Sequence, residues 1–71
     1  SIAFHRMDER VLKYLQEKSN SLNTNEISMS HHDIAVDLNS SREVISRILK
    51  QMERNKLVKL GRNNIKLLLE A

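Results

Sequence analysis

The chain has 71 residues, 39% of them apolar and 30% charged, with no cysteine, no proline and one glycine. A chain of this length forms one domain and buries only about 60 to 65% of its unfolded surface, so there is little interior for an enclosed active site. The lack of cysteine excludes disulfides, thiolate zinc sites and cysteine nucleophiles. No long apolar run suggests a membrane span or signal peptide, and the composition suits a reducing, cytoplasmic setting. The first residue is Ser1 rather than methionine, which suggests a fragment of a longer protein or a processed one.

The net charge of +3 is unevenly spread. Residues 1–40 carry four Lys/Arg against six Asp/Glu, whereas residues 41–71 carry eight against three. A basic half of this kind is the usual electrostatic footprint for a polyanion, with DNA, RNA and an anionic membrane as candidates.

In chain order, Ser1 to Arg6 reads as the tail of an upstream helix, such as a dimerisation helix, or as a linker. Residues 7–71 read as the domain itself. From Met7 to about Lys18 the apolar residues Met7, Val11, Leu12 and Leu15 keep helical spacing, with Asp8 and Glu9 in the expected first turn and Tyr14 beside the stripe. Asn20 to Asn25 is rich in turn formers and reads as a loop. Glu26 to Met29 alternates polar and apolar and suits a very short strand. Ser30 and Asp33 have capping-box spacing and open a second helix with Ile34, Ala35 and Leu38 on its inner face. Asn39 tolerates the left-handed backbone of a tight turn, and either Ser40 or Ser41 can cap the next helix. Two helices joined by so short a turn form a helix-turn-helix.

The second of these helices, about 41–54, is the most informative stretch. At 100° per residue from Arg42, the residues Val44, Ile45, Ile48, Leu49 and Met52 fall between roughly 200° and 340°. Arg42, Glu43, Ser46, Arg47 and Lys50 occupy roughly the opposite 0° to 140°. Beyond it, Leu57 to Leu60 and Ile65 to Leu69 read as two strands around the loop Gly61-Arg62-Asn63-Asn64, a hairpin with Arg62 at its tip and Lys59 and Lys66 on its arms. Leu57, Leu60, Ile65 and Leu67 must pack in part on the helices, because an isolated hairpin is not stable. The expected fold is mainly α with a small β-hairpin, a winged helix-turn-helix of three helices and a wing at about 57–69.

The run Ser30 to Lys50 resembles the helix-turn-helix of the Crp/Fnr family of bacterial transcription regulators. Asp8 to Leu12 is similar to the helix that opens that family's DNA-binding domain, and Asn55 to Ile65 to its wing. Arg42 and Glu43 followed by Arg47 match the family's base-reading signature, and Ala35 matches the small residue where the two helices touch. Asn39 departs from the glycine of many members but suits the same geometry. The resemblance implies sequence-specific binding to double-stranded DNA, with Arg42, Glu43, Ser46 and Arg47 at base edges. An arginine can donate bidentately to guanine O6 and N7, and a carboxylate can accept from cytosine N4. Arg42, Glu43 and Arg47 resemble the Crp-type reader; Glu43, Ser46 and Arg47 resemble the Fnr-type reader. Arg42 favours the Crp-like half-site.

Ser30, His31, Ser41, Lys50, Lys59 and Arg62 are the expected phosphate contacts. The resemblance further implies a homodimer of the full-length protein on a palindromic operator, with RNA polymerase as a candidate further partner. No cofactor is expected in this domain, since the resemblance implies that any effector would bind a separate N-terminal domain.

Plainer roles compete for the same residues. Glu43 lies three residues after Ser40 and could be the acid of a capping box. Arg47 and Lys50 could form a solvated face or pair with Glu43 and Glu53. His31 and His32 point about 100° apart on a helix and cannot chelate one metal together. A winged helix can also serve as a protein-interaction module without a DNA-reading role, but the outward face from Ser41 to Lys50 offers no aromatic or aliphatic anchor. An enzyme is disfavoured by the lack of paired carboxylates, a nucleophile-and-base set or a phosphate-binding glycine loop. Stacking on RNA bases is disfavoured because Phe4 and Tyr14 are the only aromatics and both lie in the acidic half.

Overall fold

A computed structural model describes the backbone of residues 2–68 and the side chains of residues 7–68. The elements in order are α1 (Ile2–Leu22), β1 (Glu26–Ile27), α2 (His31–Asp37), α3 (Arg42–Arg54), β2 (Val58–Gly61) and β3 (Asn64–Leu67). Three helices with a small antiparallel hairpin make the expected winged helix-turn-helix. Leu69, expected from the sequence at the end of the second wing strand, lies outside the described residues.

The first helix is longer than its apolar pattern suggests at both ends. It already runs through Ile2, so Asp8 and Glu9 lie further along it than the first turn. At the other end Ser19 extends the buried row of Val11 and Leu15 at the same spacing of four, and is itself only 8% exposed. A serine that stays on the inner face keeps the helix going past the polar residues that read as a loop. Its hydroxyl donates to Asn25 Oδ1 at 2.9 Å, satisfying the buried oxygen. The helix stops at Asn23, whose φ of 56° is left-handed. The Asn23 and Thr24 amides then donate back to the carbonyls of Asn20 and Ser19 at 3.3 and 3.1 Å.

The same closure recurs on the other two helices. After α2, Asn39 takes φ 55°, and the Asn39 and Ser40 amides reach Val36 and Ala35. After α3, Lys56 takes φ 62°, and the Lys56 and Leu57 amides reach Glu53 and Met52. All three are Schellman ends, in which a left-handed residue lets two amides satisfy carbonyls that the helix leaves open. Asparagine suits that conformation; lysine is a costlier occupant.

β1 is a real strand and enlarges the wing. It pairs antiparallel with β3, with Glu26 opposite Lys66 and Ile27 opposite Ile65, so the hairpin becomes a three-stranded sheet in the order β1-β3-β2. Between β2 and β3, Val58 faces Leu67, Leu60 faces Ile65 and Gly61 faces Asn64. The connection is therefore the two residues Arg62-Asn63 rather than the four-residue loop expected from the sequence. Asn63, with φ 49°, supplies the left-handed turn, and Gly61 does not need its freedom. A Cβ at Gly61 would meet Asn64 at an ordinary 3.7 Å.

One core joins these elements. Ile45, Ile48, Leu49 and Met52 of α3 pack with Val11 and Leu15 of α1, Ile34 and Ala35 of α2, and Ile27, Val58, Ile65 and Leu67 of the sheet. Leu57 and Leu60 lie partly buried against it. α3 touches α1, α2 and β2, and is the element common to both halves of the domain.

Replacing Lys56 by glycine is expected to relieve the left-handed penalty at the end of α3 and stabilise the domain by roughly 0.5 to 1 kcal/mol, read as a higher urea midpoint at unchanged slope. An equal or lower midpoint would mean that the lysine is not strained there.

Candidate nucleic-acid interface

α3 owes its starting point to Ser41, not Ser40. Ser41 has extended backbone, and its hydroxyl accepts from the Val44 amide at 3.2 Å. Ser40 belongs to the turn, where its amide closes α2 on Ala35 at 2.8 Å. With Ser41 as the cap, the third helical position is Val44, so Glu43 is not the acid of a capping box. Its carboxylate is exposed in the first turn, where the helix dipole favours it.

α2 is fixed at both ends. Ser30 and Asp33 form the full capping box, with the Asp33 amide donating to Ser30 Oγ at 3.1 Å and the Ser30 amide to Asp33 Oδ2 at 3.2 Å. At the C-terminal end, Arg10 Nη2 of α1 donates to the Leu38 carbonyl at 2.9 Å, and the Tyr14 hydroxyl donates to the Asp37 carboxylate. The phenol also lies 3.4 Å from Met29 Sδ, and Lys18 Nζ sits 5.8 Å from its ring centroid. Burial and the adjoining carboxylate push the Tyr14 phenol well above its usual pKa. Nothing in local spacing announces these contacts, since they join residues 23 and 28 positions apart.

The outward face of α3 and the start of α2 enclose an open depression of about 590 Å³ lined by His31, Arg42, Glu43, Ser46, Arg47 and Lys50. The four residues expected at base edges are thus brought together with His31 and Lys50. Arg42, Glu43, Arg47 and Lys50 are exposed, while His31 and Ser46 are half-buried. The two half-buried residues touch: His31 Nδ1 lies 2.7 Å from Ser46 Oγ, tying the first turn of α2 to the middle of α3. Partial burial, then the positive charges of Arg42 and Lys50, lower the His31 pKa below its ordinary 6.5.

The remaining expected phosphate contacts stand apart from this depression. Ser30 and Ser41 are the two helix caps. Lys59 is exposed on β2 directly opposite Lys66, which in turn faces Glu26, so a row of charges crosses the outer face of the sheet. Arg62 is exposed in the two-residue tip. The wing is coupled to α3 through Glu53, whose Oε2 accepts from the Leu60 amide at 3.0 Å. This contact gives Glu53 a role other than pairing with Lys50. On the other side of α3 a smaller, mainly apolar cavity of about 170 Å³ lies against α1, between Leu12, Ile48, Met52 and Leu57.

The sequence profile of the Crp-like helix-turn-helix domain matches residues 9–71. The chain belongs to the Crp-like helix-turn-helix family. Among solved structures, this Crp-like domain is similar to a protein described as a transcriptional regulator of the Crp/Fnr family from Eubacterium rectale ATCC 33656. That match has 42% identity and a TM-score of 0.85 over 87% of this chain and 29% of the other. It is also similar to the catabolite activator protein of Thermus thermophilus, at 25% identity and a TM-score of 0.79 over 93% of this chain and 31% of the other. The Crp-like domain therefore spans about a third of the length of these regulators. No curated protein sequence matches it.

The lowered His31 pKa has a consequence for the stability of the Crp-like domain. Below pH 6.5 the unfolded chain takes up a proton at this position before the folded chain does, so stability is complete above 6.5 and falls as the pH drops toward the folded value. Urea midpoints measured from pH 7.5 to 5 should fall less steeply in His31→Gln than in the wild type, and identical slopes would remove the histidine from this role.

Proposed function

We propose that this domain is the DNA-binding output module of a Crp/Fnr-like transcription regulator, with α3 in the major groove and the wing beside the phosphate backbone. The observation that carries this reading is the outer face of α3. Two arginines, a carboxylate and a hydroxyl stand together around one open depression, on a helix capped and braced so that the row is held as a unit. Arg42 and Arg47 have the fork geometry to donate to guanine O6 and N7, and Glu43 can accept from cytosine N4. Both matched structures are regulators by their descriptions, which supports the same role here.

His31 and Lys50 border the reading row and suit phosphates on either side of the groove. Ser30 and Ser41 lie at helix starts, where backbone amides also favour an anion. Lys59 and Arg62 give the wing its positive charge, and the juxtaposed Lys59 and Lys66 would be relieved of mutual repulsion by a phosphate backbone. In this reading the full-length protein is a cytoplasmic homodimer, its operator is a palindrome of two half-sites, and effector control and any contact with RNA polymerase lie with the assembled regulator. A dimer places two recognition helices one turn of DNA apart, which is why the operator repeats in inverted order.

Selection of duplexes from a random pool by the full-length dimer should enrich a palindrome, and enrichment of no sequence would overturn the proposal. Arg42→Ala or Arg47→Ala should erode the discrimination against mismatched sites by about 1 to 3 kcal/mol. Arg62→Ala should instead weaken all duplexes alike and reduce the salt slope by about one. If Arg47→Ala kept the preferred sequence, the reading face would have been assigned to the wrong residues.

A further inference from the structure

The 2.7 Å contact between His31 Nδ1 and Ser46 Oγ joins an ionisable imidazole to a group that stands among the candidate base readers. A serine hydroxyl has one proton to give and lone pairs to offer, so what it can read depends on where that proton points. We infer that His31 sets the base preference of Ser46: the neutral ring accepts a hydrogen bond from the Ser46 hydroxyl on Nδ1 and leaves the oxygen to accept from a base, whereas the protonated ring donates to that oxygen and frees the hydroxyl to donate to a base. This inference rests on the proposed base-reading role of α3.

The neutral ring has two tautomers, and contact with DNA separates them. With the proton on Nε2, the ring can donate to a phosphate while Nδ1 accepts from Ser46. With the proton on Nδ1, the Nε2 lone pair would face the phosphate and repel it. Bound DNA therefore favours the first tautomer, and Ser46 meets the base edge with lone pairs only. Its partners are then exocyclic amines, adenine N6 or cytosine N4. In the imidazolium both nitrogens are donors, Nδ1 donates to Oγ, and the hydroxyl proton turns toward guanine O6 or N7 or thymine O4.

The charged groups facing the ring are Arg42 and Lys50 of α3, with Glu43 and Arg47 on the rim of the same depression and Asp33 two positions along α2. Partial burial, and after it the charges of Arg42 and Lys50, disfavour the protonated ring in the free protein. Phosphates of bound DNA offset both cations, so the bound complex protonates more readily than the free protein.

The test is selection from a random duplex pool by the full-length dimer at pH 7.5 and pH 5.5, for the wild type, His31→Ala and Ser46→Ala, with thermal melts confirming that each variant is folded. The wild type should favour adenine or cytosine over guanine or thymine at one position of each half-site by about three- to tenfold at the higher pH, and should lose or reverse that preference at the lower. His31→Ala should admit both kinds of base at that position at either pH, because its hydroxyl is free to turn. Ser46→Ala should lose discrimination there and be insensitive to pH. A wild-type preference that is the same at both pH values, or that survives His31→Ala, overturns the inference while leaving base reading by α3 intact. Failure of the wild type to enrich any sequence overturns base reading and the inference together. Ring nitrogen shifts of His31 in the free protein give an independent readout: they should move in Ser46→Ala, and unchanged shifts would show that the two side chains are not bonded.

Discussion

The position of every outward side chain on α3 is decided by what the helix buries. Ile45, Ile48, Leu49 and Met52 are each at most 5% exposed, and together they meet both the first helix and the sheet. A stripe enclosed this fully leaves the helix no freedom to roll about its axis, because rotation by one residue would carry an isoleucine into water and a charge into the core. Arg42, Ser46, Arg47 and Lys50 inherit their direction from that constraint. A row of cations on an unanchored helix would be a charge pattern; on a clamped one it is a geometry.

The second helix depends on a different kind of contact. It is only seven residues long and too short to stand alone, so its placement rests on Ile34 and Ala35 against α3 and on polar anchors at its two ends. The capping box holds its start, and Arg10 and Tyr14 hold its finish from the first helix. This bracing fixes the angle between the two helices of the motif. It also brings His31 within hydrogen-bond reach of Ser46, so the outer face is set by both helices rather than by α3 alone.

What could be read from the residues alone, and what could not, divides by range of interaction. The Ser30–Asp33 box, the left-handed Asn39 and the apolar stripe of α3 are local codes, carried by side chains a few positions apart, and each was legible. The true length of α1 was not, because Ser19 keeps the helix going by packing inward and bonding Asn25, while its composition resembles a loop. Lys56 in a left-handed position carries no sequence signal, since nothing about lysine favours it. β1 was visible only as a short alternation, and its pairing with β3, far along the chain, was not visible at all. For the candidate site, the reading row on α3 emerged from one helical period. The His31 contact with Ser46 required the angle between two helices, which no single-helix pattern contains.

The strand order β1-β3-β2 places the last described strand in the middle of the sheet. As the chain leaves the ribosome, β1 and β2 have no common neighbour until residues 64–67 appear. The sheet side of the core, with Ile27 and Val58 already made, stays open until Ile65 and Leu67 are delivered. Completion is thus a late, long-range event, slower in principle than the local folding that precedes it. The sheet is complete only when β3 arrives.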